Sequence, residues 1–213
     1  MRMEKVVTSL DTMLLTLARA NRISTFNLAI FKHWRNGYRE PDLWDEAVVR
    51  TFPLRTEELV ARVKTLREST ESRGELLGVT SEVVARGKKR HMQLLDLDHE
   101  RCYTGAGWFR AGTPRDVLKD YADFFQRFGA SAGFLVNSGR SFHFYGSGVT
   151  TEAQWMDQLH RISADRTKGN PVDKEWLETQ LERGYSLLRI SKNDYKKTEP
   201  VVEKSVGLKL ARA

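Results

Sequence analysis

Cysteine is nearly absent from this chain: its 213 residues include one, Cys102. One thiol closes no disulfide within the chain and builds no cysteine zinc site. Cys102 therefore reads as a small, partly buried hydrophobe in a reducing cytoplasm. Long apolar runs are missing as well. None approaches the ~18 residues of a membrane-spanning helix, so no membrane partner is expected. Asp11 interrupts the apolar stretch near Met1, which argues against a secretory leader. Internal repeats and low-complexity segments are absent. So are several catalytic signatures. His91, His99 and His143 show no His-x-x-x-His spacing of a zinc hydrolase. Gly105-Ala106-Gly107 and Gly146-Ser147-Gly148 lack the Lys-Ser/Thr of a phosphate-binding loop and read as turns. No Gly-x-Ser-x-Gly nucleophile elbow is present.

What remains is charge and a mixed pattern. The apolar fraction is 40% and the charged fraction 30%, the balance of a folded, soluble domain with a real core. The net charge of +7 favours polyanionic partners through counterion release. The pattern changes near residue 73. Before it, the signals are helical. Val6, Leu10, Met13, Leu14 and Leu17 form one stripe, and the cluster Phe26 to Phe31 with Trp34 reads as a second helix stopped by Gly37. Pro53 to Ser69 reads as another, capped by Thr56, with Leu59, Val60, Val63 and Leu66 on its apolar face. After residue 73, strands and helices alternate. Glu75–Ala85 and His91–Asp98 pair across an Arg86-Gly87-Lys88-Lys89 turn, Asp116–Phe128 is a helix, and Gly133–Gly146 is a hairpin. Helices follow at Thr151–Ile162 and Lys174–Arg183, then a strand at Tyr185–Ser191; the last dozen residues read as a frayed polar end. The expected class is α+β, with a mostly antiparallel sheet and flanking helices behind a helical segment. The expected division is residues 1–72, a core at 73–204 and a tail at 205–213.

Three short motifs carry chemistry. In Leu95-Asp96-Leu97-Asp98, a period of two sends both carboxylates to one face of a strand. Stacked carboxylates repel unless a cation sits between them, and Mg²⁺ or Mn²⁺ takes such oxygen ligands. The blander alternative is a solvated strand end. In Ser141-Phe142-His143, the serine and histidine share a face and suit a phosphate, with Arg140 in the turn adding donors. A hairpin with a half-buried histidine explains the same residues. Val172-Asp173 opens a helix that Asp173 would cap in any case. Beyond it, Leu187-Leu188-Arg189-Ile190-Ser191 sets one arginine in an apolar strand, where it needs a carboxylate or a ligand phosphate; Lys192 follows.

In this order the motifs resemble the archaeo-eukaryotic primase superfamily, the primase-polymerases. The matching elements are Leu95-Asp96-Leu97-Asp98, Ser141-Phe142-His143 and Val172-Asp173, with Ser138-Gly139-Arg140 and Leu188-Arg189-Ile190-Ser191 in support. The resemblance covers roughly residues 75–200. It implies an RRM-like catalytic core in which Asp96, Asp98 and Asp173 hold two divalent metals, Mg²⁺ or Mn²⁺. Ser141 and His143 would contact the phosphates of the incoming nucleotide, and Arg140, Arg189 and Lys192 would make lesser phosphate or template contacts. Asp173 lies farther before the arginine strand than that family suggests, so Glu178 and Glu182 stand as alternative third ligands. No zinc is expected.

The activity so implied is a metal-dependent nucleotidyltransferase, a primase or polymerase. It would start or extend a strand on a single-stranded DNA template from nucleoside triphosphates. A catalytically silent primase fold that binds nucleic acid or nucleotide with a partner protein is the alternative, and a metal-dependent nuclease the third reading. The front helices are a candidate dock for a helicase or other replication or repair protein. Trp108, Trp155 and Trp176 are candidate base-stacking residues, as are Trp34, Tyr38 and Trp44, with core packing the commoner use of such side chains.

Overall fold

The computed structural model describes residues 3–5, 9–35, 44–97, 122–129, 132–138, 142–165, 170–192 and 199–206. Strand β1 (Met3–Lys5) and helix α1 (Leu10–Asn21) come first, then β2 (Ile23–Arg35) and β3 (Trp44–Arg55). A short 3-10 turn, Thr56–Glu58, leads into α2 (Leu59–Glu71). Next are β4 (Leu76–Ala85), β5 (Lys88–Leu97), α3 (Ala122–Arg127), β6 (Gly133–Asn137) and β7 (Phe142–Thr150). Helices α4 (Glu152–Ala164) and α5 (Lys174–Arg183), β8 (Leu187–Arg189) and β9 (Val201–Val206) complete the order.

The strands form one nine-stranded sheet in the order β1-β9-β6-β7-β5-β4-β2-β3, with β8 also paired to β4. Every described pairing is antiparallel. Strand alternation drives the layering. On β5, Met92 and Leu94 join a core with Met13, Leu14 and Leu17 of α1 and Leu59 and Val63 of α2. Leu95 and Leu97 enter the opposite core, with Phe124 and Phe125 of α3, Trp155 and Leu159 of α4 and Leu177 of α5. The helices thus cover both faces of the sheet.

The α+β class and the antiparallel sheet hold, as do α1, the β4–β5 and β6–β7 hairpins, α4, α5 and β8. The front of the chain differs from expectation. Residues 26–31 are strand rather than helix. Phe26, Leu28 and Ile30 pack toward α1, while Ala29 and Phe31 pack in a third cluster with Leu76 and Leu187. A strand buried on both faces carries an unbroken apolar run, which no helical period distinguishes. Pro53, expected at a helix start, lies in β3 opposite Asn27. It is tolerated because β3 is an edge strand. Thr56 does not cap α2; its hydroxyl donates to the Ile23 carbonyl at 2.8 Å, and Val60 is exposed. Gly146-Ser147-Gly148 belongs to β7 rather than to a turn. The bulge there leaves Met92 opposite Val149 and Leu94 opposite Tyr145. Val201–Val206 is a strand between β1 and β6, not a frayed end. The helix expected at 116–128 is described only over Ala122–Arg127.

Close backbone approach explains one glycine. A Cβ on Gly133 would lie 2.3 Å from the Tyr145 carbonyl oxygen, and backbone cannot swing aside. Nearby Gly148 has open space around it. Gly133→Ala is expected to destabilise by about 1–3 kcal/mol, whereas Gly148→Ala stays within about 0.5 kcal/mol of the parent. Urea denaturation of the two variants checks this; equal midpoints would refute the packing argument.

A second expectation concerns His91, which is fully buried. Its Nδ1 lies 3.1 Å from the Ser81 hydroxyl, and its ring stacks on Trp155 at 4.7 Å. Burial holds its pKa below the usual histidine value; Glu82 and Glu152 act against that shift and Lys89 with it. The unfolded chain, with a histidine pKa of about 6.5, therefore binds more protons in the window below that value. The stability contribution is complete above about pH 6.5 and is lost as pH falls through the folded-state value. His91→Phe should flatten the decline in urea midpoint between neutral and mildly acid pH. An unchanged pH profile in the variant would show that His91 does not titrate on unfolding.

Candidate active site

Strand β5 delivers Asp96 one residue before its end, and β7 delivers His143 one residue after its start. The two are register partners on neighbouring strands. His143 Nε2 lies 3.9 Å from Asp96 Oδ1, with the histidine side chain 6% exposed and the aspartate 30%. The carboxylate thus faces solvent at the sheet's end while the imidazole backs it from inside. Strand parity puts Asp96 on the face of Met92 and Leu94, the face that α1 and α2 cover.

Residues 172–173 return to the same place. Val172 makes an isolated bridge to Leu97, and the Asp173 N–H donates to the Asp96 carbonyl at 3.2 Å. Val172 is buried among Leu97 and Leu177, which anchors the crossing. Asp173 then caps α5, its Oδ1 accepting from the Trp176 N–H at 2.9 Å. Both readings of Asp173 therefore meet in one residue: it is an ordinary cap, and its backbone abuts Asp96. Glu178 and Glu182 are exposed on α5, more than one and more than two turns farther along.

Arg189 sits on β8 opposite Gly78 of β4. Its Nη1 donates to the Ser191 carbonyl at 2.8 Å and its Nη2 to the Ser138 carbonyl. Burial pulls its pKa below the usual arginine value, opposed by the negative charge of Asp96. Arginine stays charged even so. It ties β8 to the residue that leads into the β6–β7 turn. Lys192 points elsewhere, with Nζ 3.2 Å from Glu71 on α2. Asp98, Arg140 and Ser141 lie outside the described residues, as do Cys102, Trp108, His99 and the Gly105 turn. Trp155 is core, and Trp176 is half-buried with its Nε1 donating to the Leu187 carbonyl at 3.2 Å.

Sequence reasoning passed over Tyr145. It lies two residues beyond His143 on the same face, with ring centroids 6.4 Å apart. It is fully buried, and burial drives its hydroxyl pKa upward, so the phenol stays neutral. The signal was available: Ser141-x-His143 continues with the same period to Tyr145. The backbone carbonyl of Ser138 left no such signal, because carbonyl acceptors are invisible in sequence.

The donor set suits a hard divalent cation. Asp96 and Asp173 are joined by a backbone hydrogen bond, and carboxylate oxygens are ligands that Mg²⁺ or Mn²⁺ favours. Among the described residues, which exclude Asp98, no group of three or more potential metal-binding side chains forms. No described helix is long and apolar enough to cross a membrane.

Comparison with known proteins gives the family and the fold. The catalytic domain of primase RepB′, solved in complex with initiator DNA, superposes with a TM-score of 0.50 over 92% of this chain and 87% of that one, at 11% identity. Primase RepB′ itself gives a TM-score of 0.49 at 10% identity, covering 93% of this chain and 57% of that one. At such identity the first likeness is one of fold. No curated protein matches. The family model described as AEP-like, archaeo-eukaryotic primase 1D-like, matches residues 56–202. That stretch contains β5, β7, the Val172-Asp173 crossing and β8, and on it the chain belongs to the AEP-like, archaeo-eukaryotic primase family.

Proposed function

We propose that this protein is a metal-dependent nucleotidyltransferase, a primase or polymerase that starts or extends a strand on a single-stranded DNA template. The observation that carries the reading is the meeting of Asp96, His143 and Val172-Asp173, far apart in sequence, at one end of one sheet. Membership of a primase family supports it.

In this reading Asp96, Asp98 and Asp173 would hold two divalent metals. When bound, such metals lower the pKa of a primer hydroxyl and neutralise triphosphate charge. The chain's own residues do the rest. Asp96 presents its carboxylate at the sheet's end, and His143 behind it would donate to a phosphate oxygen. Ser141, two residues earlier on the same strand period, would add a hydroxyl donor, and Arg140 a fork. Arg189 acts chiefly by holding the Ser138 carbonyl, and so the entry to the Ser138-Gly139-Arg140 turn, against β8. Its positive charge also offsets that of Asp96. Lys192, paired with Glu71, is the weakest of the nucleotide contacts. Exposed ion pairs of this kind are worth little and break readily. Cytoplasmic action with a helicase or other replication or repair partner remains part of the proposal.

One observation favours the silent, binding-only alternative. Asp173 already spends one oxygen on the α5 cap. A carboxylate has a second oxygen, however, and capping leaves it in place.

Nucleotide incorporation decides between them. With Mg²⁺ or Mn²⁺ and primed or unprimed single-stranded templates, the parent should form products. Asp96→Ala with Asp98→Ala should lower the rate by at least about 100-fold, the scale of losing the main electrostatic stabiliser. Products made equally by parent and variant would sink the assignment of these carboxylates. No product with either metal, with DNA binding retained, would favour the silent module.

A further inference from the structure

We infer a second nucleic-acid contact: a cleft at the other end of β5 from Asp96, which binds the phosphodiester backbone of the DNA strand. The inference rests on the nucleic-acid reading above and extends it to a site the catalytic motifs do not include. The cleft has a volume of about 450 Å³ and is lined by Arg86, Arg90, Gly148, Thr151 and Gln154, among others, with no carboxylate in its lining. Arg90 lies six residues before Asp96 on β5, so at ~3.3 Å per residue the cleft is about 20 Å from the active-site end. That span is several nucleotides of strand.

Two features separate this cleft from an ordinary basic surface. First, neither Arg86 nor Arg90 has an ion-pair partner among the described residues. Glu82, the register partner of His91, lies on the opposite face of the sheet from Arg90 and pairs with Lys89. The α4 end contributes no open cap either, because Thr151 and Gln154 satisfy each other in a capping box. The attraction for an anion therefore comes from the two guanidinium groups, which suit phosphate geometry.

Second, Arg86, one of the two cleft arginines, holds a left-handed backbone conformation. Among the described residues, the non-glycine residues with positive φ are Arg22, at 54°, and Arg86, at 52°. They are joined, since the Arg86 N–H donates to the Arg22 carbonyl at 3.2 Å. Glycine or asparagine adopts this left-handed conformation at lower cost, and a glycine does follow at Gly87 with φ of 70°. Two adjoining positions thus carry arginine where a residue without a guanidinium would be easier to accommodate. Of the two, Arg86 lines the cleft, at the first position of the β4–β5 turn, and Arg22 is the C-cap of α1. Gly148 keeps the floor open, with nothing within 4 Å of where its Cβ would be.

The shared ligand chemistry is a phosphate ester, and the two sources are separable. Fluorescence anisotropy of a labelled single-stranded DNA oligonucleotide, and of a labelled nucleoside triphosphate, is measured across a salt series. The proteins are the parent, Arg86→Asn with Arg90→Gln, and Gly148→Glu. For the double variant the DNA dissociation constant should rise about tenfold. The slope of log affinity against log salt should fall by about 1.4, the loss of two single-strand phosphate contacts. Gly148→Glu should weaken DNA binding in the same direction. Triphosphate binding should be unchanged. Arg86→Asn alone should keep or raise the urea midpoint, since asparagine suits the left-handed turn, so a binding loss is not a folding loss. Unchanged DNA affinity and salt slope would overturn the inference, and so would a loss confined to the triphosphate. The readout needs no turnover. A parent that incorporates nothing, but whose DNA affinity still depends on Arg86 and Arg90, keeps the cleft while sinking the nucleotidyltransferase reading.

Discussion

The edge of β4 that faces away from β2 serves two strands in turn, and the site follows from that division. Gly78–Thr80 pair with β8, and Glu82–Ala85 pair with β5. Beyond His91, β5 must leave β4 and continue along β7. β8 fills the opening and is fastened at both ends. The Ile190 N–H donates to the Leu77 carbonyl at 2.8 Å, and the Leu77 N–H to the Ser191 hydroxyl at 2.7 Å. At the other end the Ser81 N–H donates to the Ser186 carbonyl at 2.7 Å, and the Ser186 N–H to the Ser81 hydroxyl at 3.0 Å. Gly78 permits the approach, since a Cβ there would lie 2.6 Å from Leu187 Cδ1. With β8 wedged in place, Arg189 reaches the Ser138 carbonyl, and the end of β5 is free to meet residues 172–173.

Much of this was legible in the sequence where one local signal dominates. Thr151 with Gln154 is a capping box, Asp173 is a cap, and Gly184 ends α5 at a φ of 81°. Each acts through neighbours within four residues, so the sequence carries the whole cause. The β4–β5 hairpin was likewise visible through Gly87. What failed depended on burial from both sides. Nothing local tells β2 that Ala29 and Phe31 face one core and Leu28 and Ile30 another. β9 was missed because Glu203, Lys204 and Ser205 make its stretch look polar enough for a tail. Its pairing with β6, Val136 opposite Val202, is supplied from 66 residues away. The three motifs were legible as residue types, and their adjacency was not. That Asp96 faces His143 is a fact of strand register, which sequence spacing alone does not determine.

Two histidines of the sheet, His91 and His143, show how register assigns chemistry. His91 and His143 sit on neighbouring strands, but they point to opposite faces. His91 stacks on Trp155 in the core of α3, α4 and α5, with Ser81 at its Nδ1. Water does not reach it, and its role is packing. His143 shares its face with Asp96 and Tyr145, at the sheet's end where the carboxylate is part exposed. A shift of one residue in either pairing would exchange these surroundings and leave the carboxylate without an imidazole behind it.

Charge compensation accompanies the meeting of two acidic residues at the sheet's end. Asp96 and Asp173 are joined through backbone, yet each has a separate counter-charge within the protein. Arg189 acts on Asp96 from β8, with His143 3.9 Å away on β7. Asp173 sits at the positive end of α5 and takes a backbone N–H there. Repulsion between the pair is thus offset locally, by a buried guanidinium on one side and a helix terminus on the other. On the proposed reading, a cation would meet two acidic residues that folding has already brought together, and ordering done during folding is not charged again on binding. In this arrangement the stability of the sheet and the readiness of the acidic pair are set by different contacts. Loss of a bound cation would therefore leave the fold standing, unlike the small domains whose folding is the metal site itself.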